Sequence, residues 1–162
     1  MNPPVKSFRK SKFADRGKDA EKLVNSFLLH WQSGSQYREF NRLTDAKAAG
    51  RLIGAAPADF EFFIHDYESQ KVHGLIEVKE TEHEYRLARD KVPQMPRLRK
   101  RSKCGGECLV VVYHSTLKAW RVMFVDVLAD TGDKGSWNLS GQPASRTCAE
   151  ALHEALPEVF PG

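Results

Sequence analysis

Two runs of sequence, Ala58-Asp-Phe-Glu-Phe-Phe-Ile64 and Val72-His-Gly-Leu-Ile-Glu-Val-Lys79, determine the expected fold. Both are rich in aromatic and β-branched residues, which favour β-strands, and the short polar segment from Asp66 to Lys71 separates them. Two such runs joined by a short polar loop predict an antiparallel β-hairpin. The other elements of the chain are interpreted outward from this hairpin.

The predicted hairpin places particular side chains opposite one another. In an antiparallel pair the numbers of opposed residues have a constant sum, and a turn centred near residue 68 makes that sum 136, so Asp59 faces Glu77. Side chains alternate along a strand and opposed side chains stand ~5 Å apart, so Asp59, Glu77 and Lys79 are expected on one face. Val78 points to the other face, which suits a core.

This polar face has the chemistry of a metal site. Two carboxylates so close together raise one another's pKa unless a cation lies between them. Mg²⁺, or Mn²⁺ in its place, fits because it takes hard oxygen ligands, usually one or two carboxylates completed by water and substrate phosphate. Lys79 is then placed to orient an attacking water and to offset charge on a phosphate. The alternative is a surface salt-bridge cluster, which is common on hairpins and contributes little stability.

A helix is expected before the hairpin. From Asp15 to Trp31 apolar residues recur at spacings of three and four, which predicts an amphipathic helix. Glu21 lies on the rim of its apolar face, where its carboxylate could reach over a sheet edge as a further metal ligand; the alternative is a solvated surface glutamate. Residues 1–14 contain two prolines and four basic residues with little apolar periodicity, which predicts a flexible basic arm.

Further elements follow along the chain. Thr44 through Ala49 predicts a short helix, and the runs Cys108–His114 and Ala119–Val125 predict a second hairpin. Between the two hairpins lies a basic helical segment. Thr147 followed three residues later by Glu150 is a capping box, which predicts the start of a final helix.

The length and composition fit one domain. The chain has 162 residues, of which 41% are hydrophobic and 28% charged, and domains cluster near ~100–150 residues. The order of elements predicts an α/β domain over residues 15–162, with a mixed β-sheet flanked by helices and an acidic C-terminal helical segment. There is no secretory signal and no apolar run of ~18 residues, so we expect a cytoplasmic protein with no membrane contact. Three cysteines without a signal indicate reduced thiols.

Positive charge is concentrated in the body of the chain. Residues 1–124 carry 23 Lys and Arg against 15 Asp and Glu, a net +8, whereas residues 125–162 carry 2 against 6, a net −4. Arg16 and Lys18 could form an anion site at the start of the first helix. The basic helical segment is expected to bind DNA phosphates, the alternative being a solvated helix face. Its basic residues are Arg97, Arg99, Lys100, Arg101 and Lys103.

The site pattern resembles a known family. Pro57-Ala-Asp59, followed by a hairpin and Glu77-Val-Lys79, is similar to the signature of the PD-(D/E)XK nuclease superfamily, although Ala58 interrupts the usual Pro-Asp pair. Glu21 matches the acidic residue that many members place upstream on a helix. The resemblance implies a restriction-endonuclease-like core in which Asp59 and Glu77, the Val78 carbonyl and Glu21 hold the metal.

Within that superfamily the chain resembles the RecU-type and phage-type Holliday junction resolvases over about residues 15–125. The resemblance rests on Glu77-Val-Lys-Glu-Thr81, Gln94 and Gly105-Gly-Glu-Cys-Leu-Val-Val-Val-Tyr113, while the stalk insertion typical of RecU proteins is shortened or missing. It implies a Mg²⁺-dependent endonuclease for branched DNA, in a bacterial cell or a phage-infected host, with Gln94 supporting the attacking water. Symmetrical cutting of two strands implies a homodimer.

Two alternatives to a resolvase remain open. One is another repair or restriction-like nuclease of the same superfamily. The other is a non-catalytic nucleic-acid-binding module that shares the fold and the basic surface.

Overall fold

The computed structural model describes residues 6–43, 56–65, 70–130 and 134–162, with side chains from residue 19 onward. In these ranges the helices are α1 (Lys6–Ser33), α2 (Met95–Lys103) and α3 (Cys148–Ala155). The strands are β1 (Arg38–Arg42), β2 (Phe60–His65), β3 (Lys71–Thr81), β4 (Arg86–Ala88), β5 (Glu107–His114), β6 (Ala119–Phe124) and β7 (Ser136–Asn138). Two short 3-10 turns span Arg89–Lys91 and Val125–Val127.

Five strands form one mixed sheet in the order β1-β2-β3-β5-β6. The pairs are antiparallel except for β3 and β5, which run parallel with α2 in the connection between them. A separate two-stranded sheet pairs β4 with β7. The predicted α/β architecture, a mixed sheet flanked by helices, is confirmed. In the described ranges no helix is both long enough and apolar enough to cross a bilayer.

The central hairpin has the predicted register. Phe60 lies opposite Ile76, and every further pair of β2 and β3 keeps the same sum of residue numbers. Asp59 precedes this ladder, and its N–H donates at 3.1 Å to the carbonyl of Ile76, the residue that is paired with Phe60. The expected position of Asp59 opposite Glu77 lies one residue beyond the paired residues and stays a prediction. The turn at residues 66–69 lies outside the described residues.

Helix α1 is longer than predicted. It begins at Lys6 rather than near Asp15, so residues 6–14, which we expected to belong to a flexible arm, are helical. The apolar periodicity marks only residues 15–31, whereas the Lys, Arg and Ala residues before them have a high intrinsic helix propensity. The short helix expected from Thr44 to Ala49 lies outside the described residues.

Three strands were not predicted. The edge strand β1 has the sequence REFNR, with a single apolar residue, Phe40, so neither composition nor alternation marks it as a strand. It is a strand because it pairs with β2 along its whole length. The strands β4 and β7 have three residues each, too few for a periodic pattern.

Two apolar clusters lie on opposite faces of the main sheet. Because side chains alternate, Ile76 and Val78 of β3 pack toward α1 and α3, whereas Leu75 packs toward α2. Glu77 has the same parity as Leu75 and is thus on the α2 side. Buried members of the α1 side include Val24, Leu28, Phe60, Phe62 and Leu152. Buried members of the α2 side include Leu98, Val110, Val112, Met123 and Trp137.

The C-terminal segment completes the α1-side core. The ring of Phe160 is buried 5.4 Å from the rings of both Trp31 and Phe62. The Trp31 indole N–H donates to the Val159 carbonyl at 2.7 Å. The predicted start of α3 is also confirmed, since the Thr147 hydroxyl accepts from the helix's third N–H at 3.1 Å. The acidic segment is therefore an integral part of the packed domain.

Truncating the Phe160 ring should destabilise the whole domain. Phe160→Ala removes a fully buried aromatic side chain and is expected to lower the free energy of unfolding by about 3–5 kcal/mol. Urea unfolding followed by circular dichroism measures this. Glu158→Ala, an exposed change in the same segment, should stay within ~0.5 kcal/mol of wild type. Equal midpoints for the two variants would contradict a core role for Phe160.

Candidate functional site

The β2–β3 pair brings Asp59, Glu77 and Lys79 together. Asp59 directly precedes β2, and its Oδ2 accepts the Val78 main-chain N–H at 2.7 Å. Glu77 is only 1% exposed, and its Oε1 lies 2.9 Å from Lys79 Nζ. Lys79 keeps 22% of its side chain exposed. The arrangement is a buried carboxylate between a second carboxylate and an ammonium group that reaches solvent.

Both carboxyl groups resist ionisation. Burial, followed by the charge of Asp59, raises the pKa of Glu77 from 4.5 to about 7 even though Lys79 lowers it. Burial also raises the pKa of Asp59, against the opposing effect of the hydrogen bond from Val78. Burial is the largest cause of both shifts and the neighbouring carboxylate charges add to it, so a second cation would favour the ionised forms of both groups.

The donor set fits a hard divalent cation held by two carboxylates. Glu77 Oε2 is buried and has no hydrogen-bond partner among the described residues, and a buried carboxylate oxygen left unpaired is costly. A cation beside Asp59 and Glu77 would satisfy it. Within the described ranges no group of three or more His, Cys, Asp or Glu side chains converges as a ready-made metal site. Water and substrate would have to complete the coordination.

Glu21 lies at the rim of this site and is paired with an arginine. Its Oε1 accepts from Arg42 Nε at 3.1 Å and Nη2 at 2.9 Å. Glu21 is close enough for its charge to raise the pKa of Asp59, and Arg42 lowers that pKa in turn. Sequence reasoning missed Arg42 because it lies on the unpredicted strand β1. The metal roles of Glu21 and of the Val78 carbonyl stay predictions.

The basic residues of α2 divide into two groups. Arg97, Lys100 and Lys103 are exposed and Arg101 is half-buried. Arg99 instead turns into the protein, where its guanidinium donates to the carbonyls of Val125 at 3.3 Å and Leu128 at 2.8 Å. It anchors α2 to the 3-10 turn that follows β6, a tertiary contact that helical spacing cannot reveal.

Three further expected site residues, Gln94, Arg16 and Lys18, lie at the start of α2 and within α1. Gln94 forms the N-cap of α2, and its Oε1 is buried without a hydrogen-bond partner among the described residues. Its support of an attacking water stays a prediction. Arg16 and Lys18 lie in the part of α1 whose side chains the structure does not describe.

A buried polar cluster that sequence reasoning did not find holds the segment after β3 in place. His114 is fully buried and its Nδ1 donates to the His83 carbonyl at 2.6 Å, while its Nε2 accepts from Arg121 at 3.0 Å. Arg121 also donates to the Glu84 carbonyl at 2.7 Å. Burial lowers the pKa of His114, which favours the neutral ring that these two bonds require. The cluster thereby holds the C-terminal end of β3, the strand that carries Glu77 and Lys79.

Comparisons with known proteins support the fold. No family model and no curated protein matches the chain. Among solved structures it is similar to Archaeoglobus fulgidus Hjc, a Holliday junction resolvase from an archaeal hyperthermophile. The TM-score is 0.50 and the identity 19%, over 83% of this chain and 96% of that one. The likeness confirms the predicted restriction-endonuclease-like fold. The neighbour is archaeal, so the finer resemblance to RecU-type and phage-type resolvases stays a prediction.

The raised pKa of Glu77 predicts a pH-dependent stability. The folded carboxyl keeps its proton up to about pH 7, whereas its ordinary pKa is 4.5. The folded state thus binds more protons in this window, and the free energy of unfolding falls as the pH rises through it. In the absence of divalent metal, Glu77→Gln should remove most of this fall, by about 1–3 kcal/mol between pH 5 and pH 8.

Urea midpoints across this pH range test the expectation. Glu84→Gln changes an exposed glutamate and should keep the wild-type slope. Parallel stability curves for wild type and Glu77→Gln would show that Glu77 ionises normally in the fold.

Proposed function

We propose that the protein is a metal-dependent DNA endonuclease that hydrolyses phosphodiester bonds in four-way (Holliday) junctions during recombination and repair. The observation that carries the proposal is the convergence of Asp59, Glu77 and Lys79 on two paired strands, with both carboxyls shifted toward their protonated forms. A fold similar to that of Hjc, a Holliday junction resolvase, supports it.

Asp59 and Glu77 would hold a divalent ion, Mg²⁺ or Mn²⁺, with the Val78 carbonyl and Glu21 as further candidate ligands. When bound, such an ion neutralises charge on the attacked phosphate and makes water a better nucleophile. The unpaired Glu77 Oε2 is the group of this chain that gains most from the ion, since it has no other partner in the described part.

The side chains around the carboxylates have separate tasks. The Val78 N–H fixes the direction of the Asp59 carboxylate. The Lys79 ammonium, 2.9 Å from Glu77 and partly exposed, can donate to a water molecule and to a phosphate oxygen at the same time, because it has three N–H donors. Arg42 holds Glu21 at the rim and balances its charge.

The basic surface would position DNA by its backbone. Arg97, Lys100 and Lys103 project from α2 on the face of the sheet that carries Glu77, and Arg101 lies among them. Contacts with phosphates supply affinity without reading bases, which suits the recognition of a branched shape. Arg16 and Lys18 are proposed to contribute from α1. Two symmetrical cuts need two sites, so the active form is proposed to be a homodimer.

Cleavage of a synthetic four-way junction tests this function. With Mg²⁺ the wild type should cut the junction faster than a linear duplex of the same sequence. Asp59→Asn and Lys79→Ala should each lower kcat at least about 100-fold, because they remove a metal ligand and the group that orients water. The matched controls Asp90→Asn and Lys134→Ala change exposed residues and should keep wild-type rates.

Each failure of this assay has a defined meaning. Wild-type rates in both site variants would contradict the site. Equal cutting of junction and duplex would indicate a nuclease without junction selectivity. Salt-sensitive DNA binding without any metal-dependent cutting would indicate a non-catalytic binding module.

Metal binding should stabilise the protein most where the carboxyls are ionised. At saturating Mn²⁺ we expect the Tm to rise by about 5 °C or more at pH 8 and much less at pH 5.5. Protonated Asp59 and Glu77 are poor ligands, so the effect follows their raised pKa values. Differential scanning fluorimetry measures it. An equal shift in the Asp59→Asn, Glu77→Gln double variant would place the ion elsewhere.

A further inference from the structure

Among the described residues, no helix covers one face of the β1–β2–β3 sheet beside the candidate site. Opposed residues share a face, and the register places Tyr37 beside His65 and His65 beside Lys71 in one row. The next row is Glu39, Phe63 and His73, and the third is Asn41, Glu61 and Leu75. Asp59 and Glu77 lie beyond the third row, toward the start of β2. We name the first two rows, Tyr37, Glu39, Phe63, His65, Lys71 and His73, the open face.

The open face exposes aromatic rings. Tyr37 is 56% exposed and Phe63 41%, although the adjacent residues of β2 with the opposite parity are buried or half-buried against α1. A groove of about 780 Å³ opens at this end of the sheet, and both rings line it. Exposed large apolar groups that lie together indicate a binding surface.

The groups around these rings suit a nucleic acid. Lys71, His65 and His73 line the same groove. His73 also lies against Gly106, where an added Cβ would be 3.1 Å from its ring. His73 thus connects the groove to the segment that follows α2, whose C-terminal end carries Arg101 and Lys103. Aromatic platforms flanked by cations are the usual surface for unpaired nucleotides, because every base can stack on a ring.

Two carboxylates on β1 and β2, at the end of the open face nearer the candidate site, define the path further. Asn41 Nδ2 donates at 3.2 Å to both Glu39 and Glu61. These carboxylates disfavour phosphates over the middle of β1 and β2, but they can accept hydrogen bonds from the amino groups of bases. A strand of DNA would therefore lie with its backbone on the α2 side and its bases over the strands.

We propose that the open face binds unpaired bases of a DNA strand that continues into the Asp59–Glu77 site, with Phe63 and Tyr37 as stacking platforms. Strands rise ~3.3 Å per residue, so the two rows lie about 13 and 20 Å from that site. This span equals about four to six stacked nucleotides at ~3.4 Å each. The inference rests on the proposed function and adds the substrate feature that the enzyme recognises beside its cut.

A second copy of the chain is the rival occupant of the open face. The face is poorly suited to it, because Glu39 and Lys71 are exposed within a small patch, whereas the buried centre of an interface is depleted in charged residues. In addition, the Phe40 N–H on the edge strand β1 is already bound by the Gln32 side chain at 2.9 Å, so strand pairing between copies loses one of its donors.

Binding of a single-stranded oligodeoxynucleotide of about 12 residues carrying 2-aminopurine tests the proposal. The assay is run in EDTA, so that no cutting occurs. Wild type should quench the 2-aminopurine fluorescence, because the base stacks on a ring. Phe63→Ala and Tyr37→Ala should each weaken the Kd about tenfold and reduce the quenching, and both residues are exposed enough to be changed without unfolding the protein. Phe63→Tyr keeps an aromatic ring at this position and should bind with about the wild-type Kd, unlike Phe63→Ala.

The control variant is Leu117→Ala, which truncates a side chain of similar exposure, 43%, in the turn between β5 and β6. It should bind as wild type does. Unchanged Kd and quenching in the Phe63→Ala, Tyr37→Ala double variant would overturn the proposal. So would a shift of that variant from dimer to monomer in sedimentation velocity, which would identify the open face as an interface between copies.

The same variants separate this inference from the proposed function. If the wild type cuts no junction but Phe63→Ala loses oligonucleotide binding, the open face is supported and the nuclease function is contradicted. If Phe63→Ala cuts the junction and binds the oligonucleotide as wild type does, the nuclease function is supported and the binding role of the open face is overturned.

Discussion

The hydrogen bond from the Val78 main chain to the Asp59 carboxylate, at 2.7 Å, ties the candidate site to the register of the central hairpin. A shift of one residue between β2 and β3 would turn Glu77 and Lys79 to the other face and remove this bond. The register is in turn fixed by packing, because Phe60, Phe62 and Ile76 must face the core under α1. The chemistry of the site thus depends on the burial of the apolar residues that alternate with the site residues along β2 and β3 and point to the other face of the sheet.

Burying Glu77 has a cost that the rest of the fold must offset. A carboxylate that is 1% exposed is destabilising unless it is protonated or paired. Lys79 supplies one partner, and the remaining unpaired oxygen is the feature that a divalent cation would satisfy. The stability lost here is recovered in the two cores, one of which is completed by Phe160 from the acidic C-terminal segment. That segment therefore contributes packing that supports the site.

The features that could be predicted from the sequence are those that depend on residue spacing within one strand, one hairpin or one helix start. The hairpin register, the parallel arrangement of Glu77 and Lys79 on one face and the capping box at Thr147 all follow from spacing, and the structure has each of them. Strand β1 and Arg42 could not be predicted, because REFNR becomes a strand only through its contact with β2. Arg99 was expected among the phosphate-binding residues, yet its guanidinium is bound to main-chain carbonyls of a distant turn.

Asp59 and Glu77 are proposed to form one divalent-metal site on the β2–β3 pair. Crystals of the protein soaked in Mn²⁺ at pH 8, above the raised pKa of Glu77 of about 7, test it through anomalous scattering. We expect an anomalous peak within ligand distance of both carboxylates, at the side of Glu77 away from Lys79. A peak bound to other groups, or none beside these carboxylates at saturating Mn²⁺, would contradict it.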